Sequence, residues 1–241
     1  MSGRLPELSL VLPAHNEVEN IRWLLPHLAI TLPALADRYE VVIVDDGSTD
    51  GSGATATKLA TELGMDLRIV RHERKSGYGA TVGDGLRAAR LSYVAFTDAD
   101  GQFEVADFAL LVPLLDNADL VGGWREERSD AAMRSVVSWV FNTLVLVLYR
   151  LPYRDIDCAM KVMRREVLDS MELHARSALI NTELYYKARH AGWRIAQHSV
   201  PHHPRRAGRR SGARPRAIAR AIKELIVLRW TMWRSLPKKR S

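Results

Sequence analysis

Apolar residues along this chain come in two alternating patterns. Short, mostly apolar runs at 8–12, 39–44, 67–70, 93–97 and 120–122 are separated by longer stretches at 18–36, 53–63, 77–89 and 105–115, where apolar positions recur every three or four residues. The unbroken run Val41-Val42-Ile43-Val44 has the composition of a strand buried on both faces. The wider spacing of the longer stretches predicts amphipathic helices. Strands alternating with helices of this length predict an α/β fold with a doubly wound, mostly parallel sheet. Gly77, Gly79, Gly83 and Gly85 do not form G-x-G-x-x-G after a strand, so they predict helix entry and close helix–sheet packing rather than a dinucleotide loop.

Polar chemistry collects where three of these strands end. The first runs into Pro13-Ala14-His15-Asn16-Glu17, the second into Asp45-Asp46-Gly47-Ser48-Thr49-Asp50, and the fourth into Asp98-Ala99-Asp100-Gly101-Gln102. In an open α/β sheet the carboxyl ends of the strands are where ligands bind. Asp98 and Asp100, with the amide of Gln102 two residues on, offer hard oxygen ligands suited to Mg²⁺ or Mn²⁺, and Mg²⁺ usually combines one or two carboxylates with substrate phosphates. A single D-x-D can also be a polar turn closing a buried strand. Three acidic or polar strand ends on one edge point instead to an enzyme that holds a diphosphate through a divalent metal.

One segment departs from the alternation. Between Arg134 and Arg150 lie 15 residues that are apolar nearly all round, short of the ~20 needed to span a bilayer. They suit either a buried core helix or a helix lying at a membrane surface or lining a lipid groove. Arg134, Ser138 and Asn142 recur every four residues and would form one polar stripe on such a helix. A cation and a hydroxyl there can hold an anionic phosphate head while the apolar flanks meet a lipid tail.

The ordered series L-P-A-H-N-E (12–17), V-V-I-V-D-D-G-S-T-D (41–50), K-S-G-Y-G-A (75–80), D-A-D-G-Q (98–102) and R-x-x-x-S-x-x-x-N (134–142) resembles the family 2 inverting glycosyltransferases of the GT-A fold. Within them it is most similar to polyprenyl-phosphate sugar transferases such as dolichyl-phosphate mannose synthases, over about residues 5–210. The resemblance implies a nucleoside-diphosphate (NDP) sugar donor, GDP-mannose or a UDP-sugar, and a polyprenyl phosphate acceptor. It implies that Pro13, His15, Glu17, Val44 and Asp46 frame the nucleoside, and that Asp98, Ala99 and Asp157 line the substrate site. Asp98, Asp100 and Gln102 would hold the metal. Arg125 and Arg205 would contact phosphates, Arg205 from a stretch similar to a basic R-x-x-G-x-S loop. Arg134 and Ser138, with Asn142, would bind the polyprenyl phosphate.

Charge changes the picture only at one end. From Pro201 onward 13 Lys and Arg face one acid, Glu224, a balance of +12, which leaves −5 for residues 1–200 against a total of +7. Ile218, Ile222, Leu225, Ile226, Trp230 and Trp233 fall mainly on one helical face of that region. A basic amphipathic helix with tryptophans predicts binding of residues 214–241 to anionic lipids, as an appendage to a GT-A domain over 1–213. A solvated helix docked on the core is the plainer alternative. No recognition motif accompanies the charge, so no nucleic acid is expected. The lone Cys158 excludes an internal disulfide framework, and residues 1–7 show no signal-peptide pattern before the first strand. The expectation is a cytoplasmic protein, peripheral on the inner face of the membrane.

The reaction expected is metal-dependent transfer of a hexose, with inversion, to a polyprenyl phosphate, with Asp100, Arg125, Arg134 and Arg205 closest to the chemistry. A sugar hydroxyl acceptor would instead need a carboxylate base, Asp157 or Asp155, and the sequence leaves open which of the two faces the site. A third reading is an inactive membrane- or RNA-binding protein, against which the intact D-A-D-G-Q and Glu17 argue.

Overall fold

Leu10, Leu12, Val41 and Ile43 face one side of a central sheet while Val11, Val42 and Val44 face the other, and all seven are at most 1% exposed. That period-2 split, with both halves apolar, requires cover on both faces. The structure, a computed structural model, describes residues 3–126 and 148–204 together with 224, 227, 229 and 230. Seven strands form the sheet: β1 (Leu5–Ala14), β2 (Ala36–Asp46), β3 (Leu67–His72), β4 (Tyr93–Phe96), β5 (Leu120–Arg125), β6 (Lys161–Arg164) and β7 (Ile195–Val200), in the order β3-β2-β1-β4-β6-β5-β7. All neighbours pair in parallel except β6, which is antiparallel to both β4 and β5.

The helices follow from what each face must bury. Helix α1 (Val18–Leu35) lays Ile21, Leu24, Leu25, Leu28 and Leu32 on the Leu10/Leu12 side, where α2 (Ser52–Leu63) adds Ala56 and Ala60. On the Val11/Val44 side lie α3 (Tyr78–Ala88) and the later α6 (Ile180–His190), contributing Val82, Leu86, Ile180, Leu184 and Tyr185. Gly85 permits the α3 contact. A Cβ there would come within 2.3 Å of Val11 Cγ1 and 2.9 Å of Val44 Cγ2, the close approach expected from the glycine pattern.

Two stretches differ from the sequence expectation. The stretch 105–115 is not one helix but a 3₁₀ turn (Val105–Asp107), a single α turn α4 (Phe108–Leu111) and a second 3₁₀ turn (Val112–Asp116). Pro113 has no N–H to give to the Ala109 carbonyl and stands at the start of the second 3₁₀ turn, where a missing donor costs least. Residues 161–200 carry β6, a short α5 (Arg165–Asp169), α6 and β7, none of which the apolar pattern singled out. The reversed β6 has one consequence for function: it brings the loop before it, residues 155–160, to the edge where the parallel strands end.

The expected helix at 134–150 and the amphipathic tail lie outside the described residues, except at a few positions. Arg229 donates from Nε to the Leu148 carbonyl (3.2 Å) and stacks 5.6 Å from the ring of Tyr186 on α6. Val227 and Trp230 are 53% and 68% exposed.

Candidate functional site

The strand order reverses at β1, which has β2 on one side and β4 on the other. The crevice beyond the carboxyl ends of such a pair is the usual ligand position in an open sheet. Its floor is the parallel register Pro13 to Val44 and Ala14 to Asp45. The Val44 side chain is fully buried under α3. Ala99 is likewise only 2% exposed.

Hydrogen bonds lace the loops after β1 and β2 into one unit. Asn16, at φ +57°, donates its N–H to Ser48 Oγ (2.9 Å) and accepts the Thr49 N–H (2.9 Å). Positive φ of this kind suits asparagine better than most residues. The Glu17 N–H reaches Ser52 Oγ at 3.0 Å, and the Glu17 carboxylate accepts from Asn20. Asp50 accepts the N–H of Val18 and that of Ser52, both at 3.0 Å, and so caps the starts of α1 and α2 together. His15 donates from Nδ1 to the Asp46 carbonyl (2.8 Å), because that oxygen can only accept.

Asp46 is held more firmly still. Its Oδ1 accepts from His72 Nδ1 (2.8 Å) and the Ser76 N–H (2.7 Å), and its Oδ2 from the Gly77 N–H (3.2 Å). The other ring nitrogen of His72 meets Asp84 Oδ2 at 2.9 Å. Carboxylates only accept, so both nitrogens carry hydrogen and His72 is an imidazolium between two acids. Burial would push Asp46 up and His72 down. The hydrogen bonds and mutual charge outweigh it, leaving Asp46 below the usual carboxylate value and His72 above the usual imidazole one. Asp46 thus organises the entry to α3.

At the end of β4 the electrostatics run the other way. Burial, then the like charge of Asp100, pushes the Asp98 carboxyl up to about 7. Tyr78 donates its hydroxyl to that carboxylate, yet Asp98 Oδ1 is buried with no hydrogen-bond partner among the described residues. Asp100 Oδ1 accepts the Gln102 N–H at 3.0 Å. A buried carboxylate raised by its acidic neighbour, with one oxygen lacking a hydrogen-bond partner among the described residues, belongs to a donor set that fits a divalent cation. Among the described residues no three His, Cys, Asp or Glu side chains gather as a complete metal site. A cation here would therefore take Asp98, Asp100 and oxygens of the ligand or water. The side chain of Gln102, expected as a third ligand, donates from Nε2 to the His203 carbonyl (3.3 Å), while the His203 N–H donates to the Gln102 carbonyl (2.9 Å). This pair of hydrogen bonds, with the His202 ring tilted against Phe103 at 5.2 Å, clasps the segment after β7 to the D-A-D-G-Q loop.

The loop before β6 closes the opposite wall. Arg125, expected on a phosphate, directs its Nε and one terminal nitrogen onto Asp155 (2.7 and 2.6 Å). Asp155 sits at φ +40°, and its carbonyl accepts the Cys158 N–H. Lys161, fully buried, donates to the carbonyls of Ile156 (3.0 Å) and Cys158 and to Asn181 Oδ1 (2.9 Å), with the rings of Phe96 and Tyr185 5.2 and 5.5 Å away. Burial pushes its ammonium down to about 8 against the pull of nearby Asp157, Asp155 and Asp98. Asp157 also acts on Tyr78, which ties the loop electrostatically to Asp98.

The fold thus brings Pro13, His15, Glu17, Val44, Asp46, Asp98, Ala99, Asp100, Gln102, Arg125 and Asp157 to one sheet edge. Arg134, Ser138, Asn142 and Arg205 lie outside the described residues. Three members of the site were not singled out from sequence: His72, Tyr78 and Lys161. Tyr78 stood inside the K-S-G-Y-G-A motif and could have been found there. His72 and Lys161 sit in ordinary strand sequence, with no local signal of their partners.

The family model described as Glycosyl transferase family 2 matches residues 9–171. The chain is 32% identical over 209 residues to dodecaprenyl-phosphate galacturonate synthase of Rhizobium johnstonii, covering 84% of this chain and 60% of that protein. It is 27% identical over 181 residues to undecaprenyl-phosphate 4-deoxy-4-formamido-L-arabinose transferase of Yersinia enterocolitica, covering 74% of this chain and 55% of that one. It therefore spans little more than half the length of these relatives. Among solved structures, glucosyl-3-phosphoglycerate synthase from Mycobacterium tuberculosis, in complex with Mn²⁺, UDP and phosphoglyceric acid, superposes with a TM-score of 0.70 at 22% identity over 95% of this chain and 79% of that chain.

Proposed function

The chain belongs to glycosyl transferase family 2, and on that premise we propose that it transfers a sugar from an NDP-sugar to a polyprenyl phosphate. The observation that carries this reading is the Asp98/Asp100 pair, whose repulsion, with Asp98 Oδ1 lacking a hydrogen-bond partner among the described residues, suits a cation at the crevice where the strand order reverses. The relatives named for dodecaprenyl- and undecaprenyl-phosphate support the acceptor class. The sugar, mannose, glucose or another, is left to experiment.

In this reading Asp98 and Asp100 hold Mg²⁺ or Mn²⁺, which when bound supplies charge stabilisation to the departing diphosphate. The chain's own residues do the rest. His15, Glu17 and Asp46, fixed by the laced loops, frame the nucleoside. Tyr78 keeps one face of Asp98 in place. A phosphate monoester has its second pKa near ~6, so its attacking oxygen is largely ionised at neutral pH and needs no strong base. Catalysis then rests on orientation and preorganised charge, with Arg134, Ser138 and Asn142 positioning the acceptor and Arg205 meeting phosphate.

No helix among the described residues is long and apolar enough to cross a membrane. Access to a lipid acceptor is assigned to the 134–150 segment and to the basic residues of 214–241, which would hold the protein against anionic lipids at the cytoplasmic surface. A hydroxyl acceptor is the second reading. The base in that case would be Asp157 or Asp155, of which Asp155 carries the Arg125 fork.

A panel of NDP-sugars with a short polyprenyl phosphate, products identified by mass, tests the proposal. Arg134→Ala should raise KM for the lipid far more than for the donor. Sugar found only on hydroxyl acceptors would replace the first reading by the second.

A further inference from the structure

Lys161 is a buried cation whose partners are the two peptides around one acid. It begins β6, opposite Phe96 of β4 and Gly122 of β5, and its side chain is wholly enclosed. The ammonium donates to the carbonyl of Ile156, to that of Cys158 and to Asn181 Oδ1. Three donors thus meet three acceptors, and an ammonium has no fourth hydrogen. Ile156 and Cys158 flank Asp157, so the cation grips the main chain on both sides of that carboxylate. From the other end Arg125 holds Asp155 by its fork, and the Cys158 N–H closes a turn onto the Asp155 carbonyl. An apolar side chain of similar volume would fill the space beside Phe96 and Tyr185 without the cost of desolvating a charge.

We infer that Lys161 is a positioning residue: by gripping the carbonyls of Ile156 and Cys158 it fixes the backbone that carries Asp157, in the loop that borders the site. The inference rests on the transferase reading and deepens it. Lys161 does not touch substrate. It acts through a loop whose other fixed point is the Arg125–Asp155 pair, and Asn181 of α6 holds the ammonium in register with that loop.

The test uses the full chain and four variants: Lys161→Met, Asn181→Ala, Asp157→Asn, and Lys161→Met combined with Asp157→Asn. Amide hydrogen exchange is followed over residues 154–160, and transfer kinetics are measured with the active donor and acceptor. Lys161→Met should accelerate exchange in that segment. It should lower kcat by about 100-fold, the scale of a displacement near 1 Å at a reacting group, with KM for the NDP-sugar little changed. Asn181→Ala, which keeps the cation and removes one acceptor, should fall between it and the parent. The double variant should be no slower than the slower single variant, because both changes remove the same function. Unchanged exchange over 154–160, or losses that multiply in the double variant, would overturn the inference. If Lys161→Met does not fold, Asn181→Ala with and without Asp157→Asn supplies the same cycle. If the parent transfers no sugar to any acceptor, the transferase reading fails while hydrogen exchange still decides whether Lys161 holds the loop.

Discussion

Arg125 lays its guanidinium flat on Asp155: Nε to Oδ2 is 2.7 Å, Nη2 to Oδ1 is 2.6 Å, and the Arg125 backbone N–H reaches the same Oδ2 at 3.1 Å. Both side chains are largely buried, and Asp155 is held at φ +40°, where a residue with a side chain rarely rests. The fork therefore fixes a loop conformation that the loop would not hold by itself.

Arg125→Lys keeps the charge and loses the two-point fork. It should lower stability by about 1–3 kcal/mol and reduce transfer, since a point charge cannot reproduce planar bidentate geometry. Denaturant midpoints and kcat/KM of the variant check this. A variant as stable and as active as the parent would make the fork incidental.

Asp98 and Asp100 repel one another and leave Oδ1 of Asp98 without a partner among the described residues. Excess EDTA should abolish transfer and Mn²⁺ should restore it. Asp100→Asn should cost at least about 100-fold in kcat, the rate equivalent of losing several kcal/mol of charge stabilisation, with circular dichroism unchanged. Full activity in EDTA would remove the metal from the mechanism.

His72 between Asp46 and Asp84 makes stability depend on pH from both sides. The folded pKa of His72 lies above its ordinary 6.5, because the two carboxylates outweigh burial. Its contribution is complete below about pH 6.5 and disappears as pH rises through the folded value. Asp46 is depressed below its ordinary 3.8, so its contribution is present above that pH and disappears as pH falls through its folded value. Stability from this cluster should be greatest between those limits. His72→Gln should lower stability at pH 6 by about 1.5–3 kcal/mol, the range for hydrogen bonds to charged groups, and should flatten the decline above pH 6.5. Urea midpoints from pH 5 to 9 give the comparison. An unchanged slope in the variant would assign the decline to other groups.

Glu183 and Lys187 on α6 form an ion pair at 2.8 Å with both side chains 0% exposed. Glu183 Oε2 also accepts the N–H groups of His174 and Ala175 (2.8 Å each), and Lys187 donates to the Glu172 carbonyl (2.6 Å). The pair fastens the 172–175 segment onto α6. Lys187→Met leaves a buried carboxylate without its cation and should cost about 3–5 kcal/mol. Thermal and urea unfolding measure it, and a loss under about 1 kcal/mol would mean that the two amides suffice to hold Glu183.

Much of this protein is legible in its sequence because the relevant physics is local. The run Val41–Val44 is apolar at every position, so it must be covered on both faces, and a strand covered on both faces belongs to a doubly wound sheet. The acids after β2 and β4 follow apolar runs directly, so they must lie at the carboxyl edge whatever the rest of the chain does. Gly85 announces close packing before the partners, Val11 and Val44, are known. What the sequence leaves open depends on contacts between distant residues. Asp155 and Asp157 are equivalent as letters. The antiparallel course of β6 brings them to the site, and Arg125, 30 residues away, engages the first. His72 and Lys161 read as ordinary strand residues until strand register sets Asp46, and helix packing sets Asp84 and Asn181, beside them. Local patterning fixes which residues can face water or core, whereas the charge state and direction of a buried side chain depend on partners that only tertiary packing supplies.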